Sequence, residues 1–316
     1  MPAPKYPLYS AAISLFNSHS IPYYLDEERG WVINISTLKS TLELAKAAGT
    51  EVRAIVVINP SNPTGASLSE DDILSVLMFA AEHNLVVIAD EVYQANIYVG
   101  QFYSFKRGLR KLQTTSHAQY ANLQLASLNS VSKGLAGECG HRGGYLELVG
   151  FEPDVVTQIF HYASISVCPP VIGQCLLEMV VNPPVEGSPS YPLFKKEQDA
   201  ILNNFSSQSS VLVDVFNRME GVRCQKAKGG MCLFPTVELP PAAIEAAKKE
   251  SKEPDAFYAS RMLDETGVCI VPGSTYGQKS GTWHFRCLFL PSGLEWIDRV
   301  VAFHKAFMEE FSGVGL

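Results

Sequence analysis

The sequence predicts an α/β protein built on a mostly parallel sheet with helices on both faces. Residues 54–59 and 85–90 are continuous apolar runs, which are typical of strands buried on both sides. Between them, residues 68–83 have helical periodicity, and Ser69 is a candidate N-cap. Further strands are predicted at 123–127 and 144–149. Strands that alternate with helices indicate parallel pairing, because each crossover helix returns the chain to the same end of the sheet.

A segment rich in Pro, Gly and Ser at residues 182–192 indicates a domain boundary or an exposed loop. We therefore predict a large domain at residues 1–195, incomplete at its start, and a smaller α+β domain at residues 196–316. The elements expected in the smaller domain are strands at 231–237, 269–272 and 284–290, and helices at 196–219, 242–266 and 294–311.

Composition limits the classes of function. The chain has 316 residues and a net charge of −7, which favours a sizeable core and argues against a nucleic-acid surface. No apolar run reaches the length of a membrane span, and residues 1–9 carry no signal or transit pattern. The seven cysteines are scattered, so we expect mostly buried free thiols in a reducing compartment and no metal site. We predict a cytoplasmic location and leave a mitochondrial one open.

A lysine and an acid follow predicted strands. Lys133 lies in Ser-Val-Ser-Lys-Gly, and Asp90 ends the apolar run 85–90. Ligands of open α/β sheets bind beyond the carboxyl ends of the strands. A desolvated lysine amine can react with an aldehyde cofactor, and a buried carboxylate needs a partner such as a pyridinium nitrogen. The alternatives are a solvent-facing lysine and an acid at an exposed strand end or helix cap.

Other polar residues fit the rest of such a cofactor. The rigid loop 59–65 (NPSNPTG) could hold the Asn62 amide against a ligand oxygen. Tyr93 follows the acid by three residues, and its phenol could donate to the cofactor oxygen or simply be half-buried. Arg142 precedes a Gly-Gly pair and suits bidentate phosphate binding, to which Ser130 could add a hydroxyl. Together with the lysine and the acid, these stretches predict a pocket for pyridoxal 5'-phosphate.

Arg286 lies within the apolar run 284–290. An arginine in such a position must be paired or face a cleft. A substrate carboxylate is the functional partner that we expect, and a structural salt bridge is the alternative.

These stretches resemble the class I/II aminotransferases of the pyridoxal-phosphate fold type I superfamily, and the resemblance covers essentially the whole chain. Several segments are similar to the alanine aminotransferase branch, and the lysine segment is the most specific of them. The segments are residues 6–11 (YPLYSA), 130–145 (SVSKGLAGECGHRGGY), 168–174 (CPPVIGQ) and 179–184 (MVVNPP).

The resemblance implies a reaction and a set of residue roles. A homodimer would transfer the amino group of L-alanine to 2-oxoglutarate, giving pyruvate and L-glutamate. Lys133 would carry the cofactor and move the substrate proton, and Arg286 would hold the α-carboxylate. The residues that would only bind the cofactor are Tyr6 at the ring face, Asn62 and Tyr93 at the phenolic oxygen, Asp90 at the pyridine nitrogen, and Ser130 and Arg142 at the phosphate.

The chain departs from the family pattern at its start. Family members carry an arm, a first sheet strand and a phosphate-binding loop before the Tyr-Pro-Leu-Tyr stretch, so the expectation is an N-terminally truncated chain with weak cofactor binding. Two alternatives stay open. The chain could be another aminotransferase or a lyase of the same fold, such as a glyoxylate-linked enzyme, or an impaired chain that acts only by association with a full-length subunit.

Overall fold

The computed structural model describes residues 1–135, 137–290, 293 and 295–312. The chain forms two compact units, and both contain segments that are distant in sequence. Unit 1 comprises Met1–Pro2, Ile21–Ser61 and Ala66–Asn203. Unit 2 comprises Ala3–Ser20, Asn62–Gly65 and Asn204–Leu316.

The regular elements of the described residues follow in chain order. The strands are β1 (Pro2–Ala3), β2 (Tyr23–Tyr24), β3 (Ala54–Ile58), β4 (Val86–Asp90), β5 (Leu125–Ser130), β6 (Gly144–Val149), β7 (Val222–Arg223), β8 (Cys232–Leu233), β9 (Thr236–Val237), β10 (Val271–Pro272) and β11 (Phe285–Leu288). The helices are α1 (Pro7–Leu15), α2 (Ile35–Ala47), α3 (Glu70–Glu82), α4 (Phe105–Thr115), α5 (His117–Tyr120), α6 (Pro153–Ala163), α7 (Val171–Val181), α8 (Tyr191–Phe216), α9 (Pro241–Lys249), α10 (Pro254–Thr266) and α11 (Glu295–Phe311).

Unit 1 is organised around a four-stranded sheet in the order β3-β4-β5-β6. The first three strands are parallel, and β6 is antiparallel to β5 at the edge. This mixed sheet, with its helical crossovers, confirms the α/β class and the mostly parallel sheet that the sequence predicts.

One face of this sheet carries the core of unit 1. Residues at alternate strand positions, among them Val57, Val87 and Leu125, belong to one buried cluster together with side chains of α2, α3 and α4. The period of two sends these residues to a common face. The neighbouring positions, including Asp90 and Ser130, therefore project to the other face.

Helix α3 begins as its sequence predicts. Ser69 is the N-cap, and its hydroxyl accepts the Asp72 N–H at 3.2 Å. The Asp72 carboxylate accepts the Ser69 N–H at 2.9 Å, which completes a capping box. Acidic residues in the first turn also interact favourably with the positive end of the helix dipole.

Unit 2 contains two small antiparallel sheets. One has the strand order β10-β11-β8, and the other pairs β7 with β9. Its core is aromatic: Tyr258, fully buried, contacts the rings of Phe285, Phe303 and Phe307 at centroid distances of 5.1–6.0 Å. Helix α8 belongs to unit 1 up to Asn203 and to unit 2 from Asn204 onwards. The predicted domain boundary after residue 195 lies within the same helix.

Three predictions about local structure are wrong in detail. Helix 242–266 is two helices, because Pro254 starts α10 at a position where no N–H is needed. The strand at 231–237 is interrupted around Pro235, which cannot donate to a sheet. Strand β5 ends at Ser130 rather than at residue 127, because pairing with β6 extends it.

The expectation of mostly buried thiols is also wrong. Cys224, Cys232 and Cys287 are buried in unit 2, whereas the other four cysteines are exposed: Cys139, Cys168, Cys175 and Cys269. Across the described residues no helix has the length and apolar character needed to cross a membrane. No group of three potential metal ligands was found among these same residues.

Candidate active site

Asp90 and Ser130 lie at the carboxyl edge of the unit 1 sheet. They end the parallel strands β4 and β5, and Asp90 pairs in register with Leu128. Ser130, two residues after Leu128, therefore projects to the same face as Asp90. The Asp90 side chain is buried, and its main-chain carbonyl accepts the Asn59 N–H at 2.9 Å. The polar pair thus occupies the edge at which α/β sheets bind ligands.

The Lys133 amine lies over the ring of Tyr93. Nζ is 5.5 Å from the ring centroid, within the range of a cation–π contact. Tyr93 is buried in the turn after β4, and Lys133 is half-buried in the turn after β5. Lys133 is therefore not the fully solvent-facing lysine that the alternative interpretation of the sequence expects.

Hydroxyl and guanidinium groups cluster beside the lysine turn. The Ser130 hydroxyl lies 3.0 Å from both Ser132 Oγ and the Gly143 carbonyl. Arg142 Nη1 lies 3.5 Å from Ser132 Oγ and donates to the Cys139 carbonyl at 2.8 Å. Two hydroxyls and a guanidinium form a donor set suited to a phosphate group. The residues present therefore fit the phosphate end of the expected cofactor.

Close backbone packing places Arg142. A Cβ on Gly143 would lie 2.6 Å from the Gly173 carbonyl oxygen, so α7 can approach this segment only because both residues are glycines. Arg142 itself has φ of +55°, a left-handed conformation that is uncommon outside glycine. Such conformations persist only where the surroundings hold them.

Glu91, next to Asp90, has a different environment. Its carboxylate accepts the Phe105 N–H at 2.9 Å, at the start of α4. Burial raises the pKa of Glu91 to about 7. The side chain thus anchors the helix at the carboxyl edge.

Arg286 and Asn62 belong to unit 2 and contact each other. Arg286 Nη1 lies 3.4 Å from Asn62 Oδ1, and the guanidinium carbon is 5.3 Å from the centroid of the Tyr276 ring. Arg286 Nε is buried and has no hydrogen-bond partner among the described residues. Burial raises the pKa of Tyr276 to about 12, so this phenol is neutral at physiological pH. The guanidinium therefore has neutral neighbours here and keeps donor capacity for an anion.

Tyr6 is the N-cap residue of α1 in unit 2, and 41% of its surface is exposed. The preceding residue, Lys5, donates its N–H to the Tyr276 carbonyl at 2.9 Å. This bond ties the start of α1 to the segment Gly273–Tyr276, whose Tyr276 ring contacts the Arg286 guanidinium. The stacking role implied for Tyr6 stays a prediction.

Sequence reasoning missed three residues of these clusters. Ser132 is the second hydroxyl of the Ser-x-Ser-Lys stretch, so its type and spacing were available as a signal. Asn96, three residues after Tyr93, bonds through its side-chain amide to the Gly134 N–H and carbonyl next to Lys133, but in sequence it looks like an ordinary turn residue. Tyr276 reaches Arg286 only through the pairing of β10 with β11, which no local pattern reveals.

The chain matches the family model described as aminotransferase class I and II over residues 1–290. It is 49% identical over 315 residues to alanine aminotransferase 2 of Panicum miliaceum, covering 98% of this chain and 64% of that protein. It is 46% identical over 312 residues to the mitochondrial alanine aminotransferase of Saccharomyces cerevisiae, covering 98% of this chain and 53% of that protein. The chain thus spans little more than half to under two thirds of these relatives' length.

The fold has solved counterparts. An alanine aminotransferase from Pyrococcus furiosus superposes with a TM-score of 0.78 at 24% identity, covering 98% of this chain and 70% of that one. At this identity the likeness shows the fold. The family match, which takes in most of the sequence and includes the lysine segment, carries the assignment. The chain belongs to the class I and II aminotransferases, a family of pyridoxal-phosphate enzymes.

Proposed function

We propose that this chain serves pyridoxal-phosphate-dependent transamination between L-alanine and 2-oxoglutarate, giving pyruvate and L-glutamate. The observation that carries the proposal is the arrangement at the carboxyl edge of unit 1, where a half-buried Lys133 amine lies 5.5 Å from the Tyr93 ring. The similarity to named alanine aminotransferases supports the choice of substrates.

The unit 1 residues would bind the cofactor by complementary charge. Ser130, Ser132 and Arg142 supply donors for a phosphate dianion, and their mutual distances of 3.0 and 3.5 Å show that they form one cluster. Asp90 would keep a pyridine nitrogen protonated, which a buried carboxylate does by favouring the cationic partner. Tyr93 would donate its phenol proton to the cofactor's phenolic oxygen.

The cofactor, when bound, supplies an aldehyde that takes up the substrate amino group and a ring that withdraws electrons from the α-carbon. Lys133 would hold that cofactor and then move a proton between the substrate α-carbon and the cofactor C4′. Its contact with the Tyr93 ring keeps the amine on the protein side rather than in solvent.

The unit 2 residues would recognise the substrate acid. Arg286 offers a buried Nε that has no hydrogen-bond partner among the described residues, and its guanidinium contacts an amide oxygen and an aromatic ring. A carboxylate could accept two parallel hydrogen bonds from such a group. Asn62, held at 3.4 Å from Arg286, would orient the guanidinium in addition to its proposed role at the phenolic oxygen.

A homodimer is the partner state that we propose. Helix α6 has no buried residue and α7 buries only Gly173, while Phe160, Val171 and Met179 are all more than half exposed. Exposed apolar side chains on two helices favour association, here with a second copy of the chain. Light scattering after gel filtration should give twice the monomer mass, and a monomer at micromolar concentration would contradict the proposal.

The test of the function uses covalent trapping. The chain is incubated with pyridoxal phosphate, reduced with borohydride and mapped by peptide mass spectrometry. A pyridoxyl group should appear on Lys133, and Lys133→Ala should abolish both this label and pyruvate formation from alanine. The matched control is Lys39→Ala, which removes a surface lysine paired with Glu82 and should change neither.

Other outcomes separate the alternatives. A label on a different lysine would refute the assignment of Lys133. A label on Lys133 with faster transfer to glyoxylate than to 2-oxoglutarate would favour another enzyme of the same fold. A label on Lys133 without turnover would favour the impaired chain, provided that turnover is restored when a full-length relative is added. The compartment stays a prediction, since one relative is named as mitochondrial and the other is not.

A further inference from the structure

Asn96 joins the turn that carries Tyr93 to the turn that carries Lys133. It is fully buried, and its Oδ1 accepts the Gly134 N–H at 2.9 Å while its Nδ2 donates to the Gly134 carbonyl at 3.2 Å. Its own N–H donates to the Tyr93 carbonyl at 2.8 Å. One amide residue therefore contacts both turns through three hydrogen bonds.

The two side-chain bonds fix the peptide groups on both sides of Gly134. The Gly134 N–H lies in the same planar unit as the Lys133 carbonyl, and the Gly134 carbonyl lies in the next one. Gly134 has φ of +77°, which glycine adopts readily and other residues do not. A Cβ at this position would lie 3.7 Å from Ala95 Cβ, so the two turns are also in close contact.

This clamp determines where the Lys133 side chain starts. With the adjoining peptide fixed, the position of the Lys133 Cα relative to the Tyr93 turn is fixed, and the Cβ can change direction only by rotation about the Lys133 Cα–C bond. The Lys133 amine and the Tyr93 ring, 5.5 Å apart, therefore both belong to turns that Asn96 holds by hydrogen bonds. A neutral amide suits this task because it supplies a donor and an acceptor without a charge beside the lysine.

We infer that Asn96 is a positioning residue that sets the reach of the Lys133 amine toward a carbonyl ligand. The inference rests on the proposed function, in which Lys133 carries pyridoxal phosphate. Asn96 is fully buried and both of its side-chain bonds go to Gly134, so we assign it no direct contact with the substrate or the cofactor. It acts through Gly134.

The chain offers a matched control in unit 2. Asn217 Nδ2 donates to the Cys224 carbonyl at 2.9 Å, and its Oδ1 accepts the Cys224 N–H at 2.8 Å. This is the same two-point clamp on a main-chain residue, at a place assigned no role in binding. Comparison of Asn96→Ala with Asn217→Ala therefore separates loss of a clamp from loss of lysine positioning.

Two readouts follow Lys133 directly. The first is the fraction of Lys133 fixed by pyridoxal phosphate and borohydride. The second, made without cofactor, is the rate of Lys133 acetylation by acetic anhydride relative to Lys39 in the same sample.

Asn96→Ala should lower the fraction of Lys133 fixed by pyridoxal phosphate roughly tenfold, which is the effect of losing two hydrogen bonds that hold the productive geometry. It should also raise the relative acetylation rate, since the amine is no longer held against the buried ring.

Asn217→Ala should lower the melting temperature while leaving both Lys133 readouts unchanged. The inference is overturned if Asn96→Ala lowers the melting temperature with the same two readouts unchanged, or if Asn217→Ala reproduces its effects. Should Asn96→Ala not fold, Asn96→Asp keeps the acceptor for the Gly134 N–H and should give an intermediate result. If the unmodified chain shows no adduct on Lys133, the proposed function fails, and the acetylation rates alone decide whether Asn96 positions the amine.

Discussion

Replacing Glu91 with glutamine should remove a pH-dependent loss of stability. Glu91 is 5% exposed, and its carboxylate accepts the Phe105 N–H at 2.9 Å. Burial raises its pKa from the usual 4.5 to about 7, and the nearby carboxylates of Glu147 and Asp90 act in the same direction. An ionised Glu91 is therefore less well accommodated in the folded protein than in the unfolded chain.

The sign and size follow from the two pKa values. The unfolded chain releases the Glu91 proton near pH 4.5, whereas the folded protein keeps it until about pH 7. Between these values the folded protein binds more protons, so its free energy of unfolding falls as the pH rises. One pKa unit corresponds to about 1.4 kcal/mol, so the full shift amounts to about 3 kcal/mol, most of it lost by pH 8.

Urea unfolding at pH 5 and at pH 8 measures this effect. The glutamine carbonyl can still accept the Phe105 N–H but does not ionise, so Glu91→Gln should gain about 2 kcal/mol or more over the unmodified chain between the two pH values. The control is Glu245→Gln, which removes an exposed acid paired with Lys248 and should show no such change in this range. An equal difference between Glu91→Gln and the unmodified chain at both pH values would refute the reasoning.

Three further predictions concern the helix cap and the proposed site. Ser69→Ala should lower the free energy of unfolding by about 1 kcal/mol, because it removes the hydroxyl that accepts the Asp72 N–H and donates to the Asp72 carboxylate, and thermal melting checks it. Asp90→Asn should slow α-proton removal by orders of magnitude while leaving the borohydride-fixed cofactor in place, and stopped-flow absorbance with alanine would detect the change. Arg286→Lys should weaken amino-acid binding by about 1.5–3 kcal/mol, because the planar guanidinium and its contact with the Tyr276 ring are both lost. Titration with alanine measures the affinity, and an unchanged affinity would contradict this prediction.

The sequence predicts best those elements whose signals are local. The strand at 54–59 and the helix at 68–83 were expected within one or two residues of β3 and α3, because apolar runs and an N-cap serine lie within the elements themselves. The extension of β5 to Ser130 depends on pairing with a distant strand and was missed. The break before Pro254 was readable from the proline but was outweighed by the helical pattern around it.

The candidate site follows the same rule. Lys133, Asp90 and Arg142 come from motifs in which residue type and spacing carry the chemistry. Asn96 was not found because its importance lies in a contact across 38 positions of sequence, and an asparagine in a turn has an ordinary local explanation. Tyr6 and Asn62 belong to unit 2 although both precede most of unit 1 in the sequence. This assignment likewise depends on long-range packing.

The two adjacent acids at the end of β4 show how the sheet sorts structural residues from candidate functional ones. Val87 and Ala89 belong to the core cluster with α3 and α4, and Glu91 continues their alternation. Glu91 is accordingly the acid that reaches the first N–H of α4. Asp90, with the opposite parity, shares a face with Ser130 through the register of Asp90 with Leu128. Parity therefore directs Glu91 toward the start of α4 and Asp90 toward the opposite face, where the proposed role of Asp90 in cofactor binding would require it.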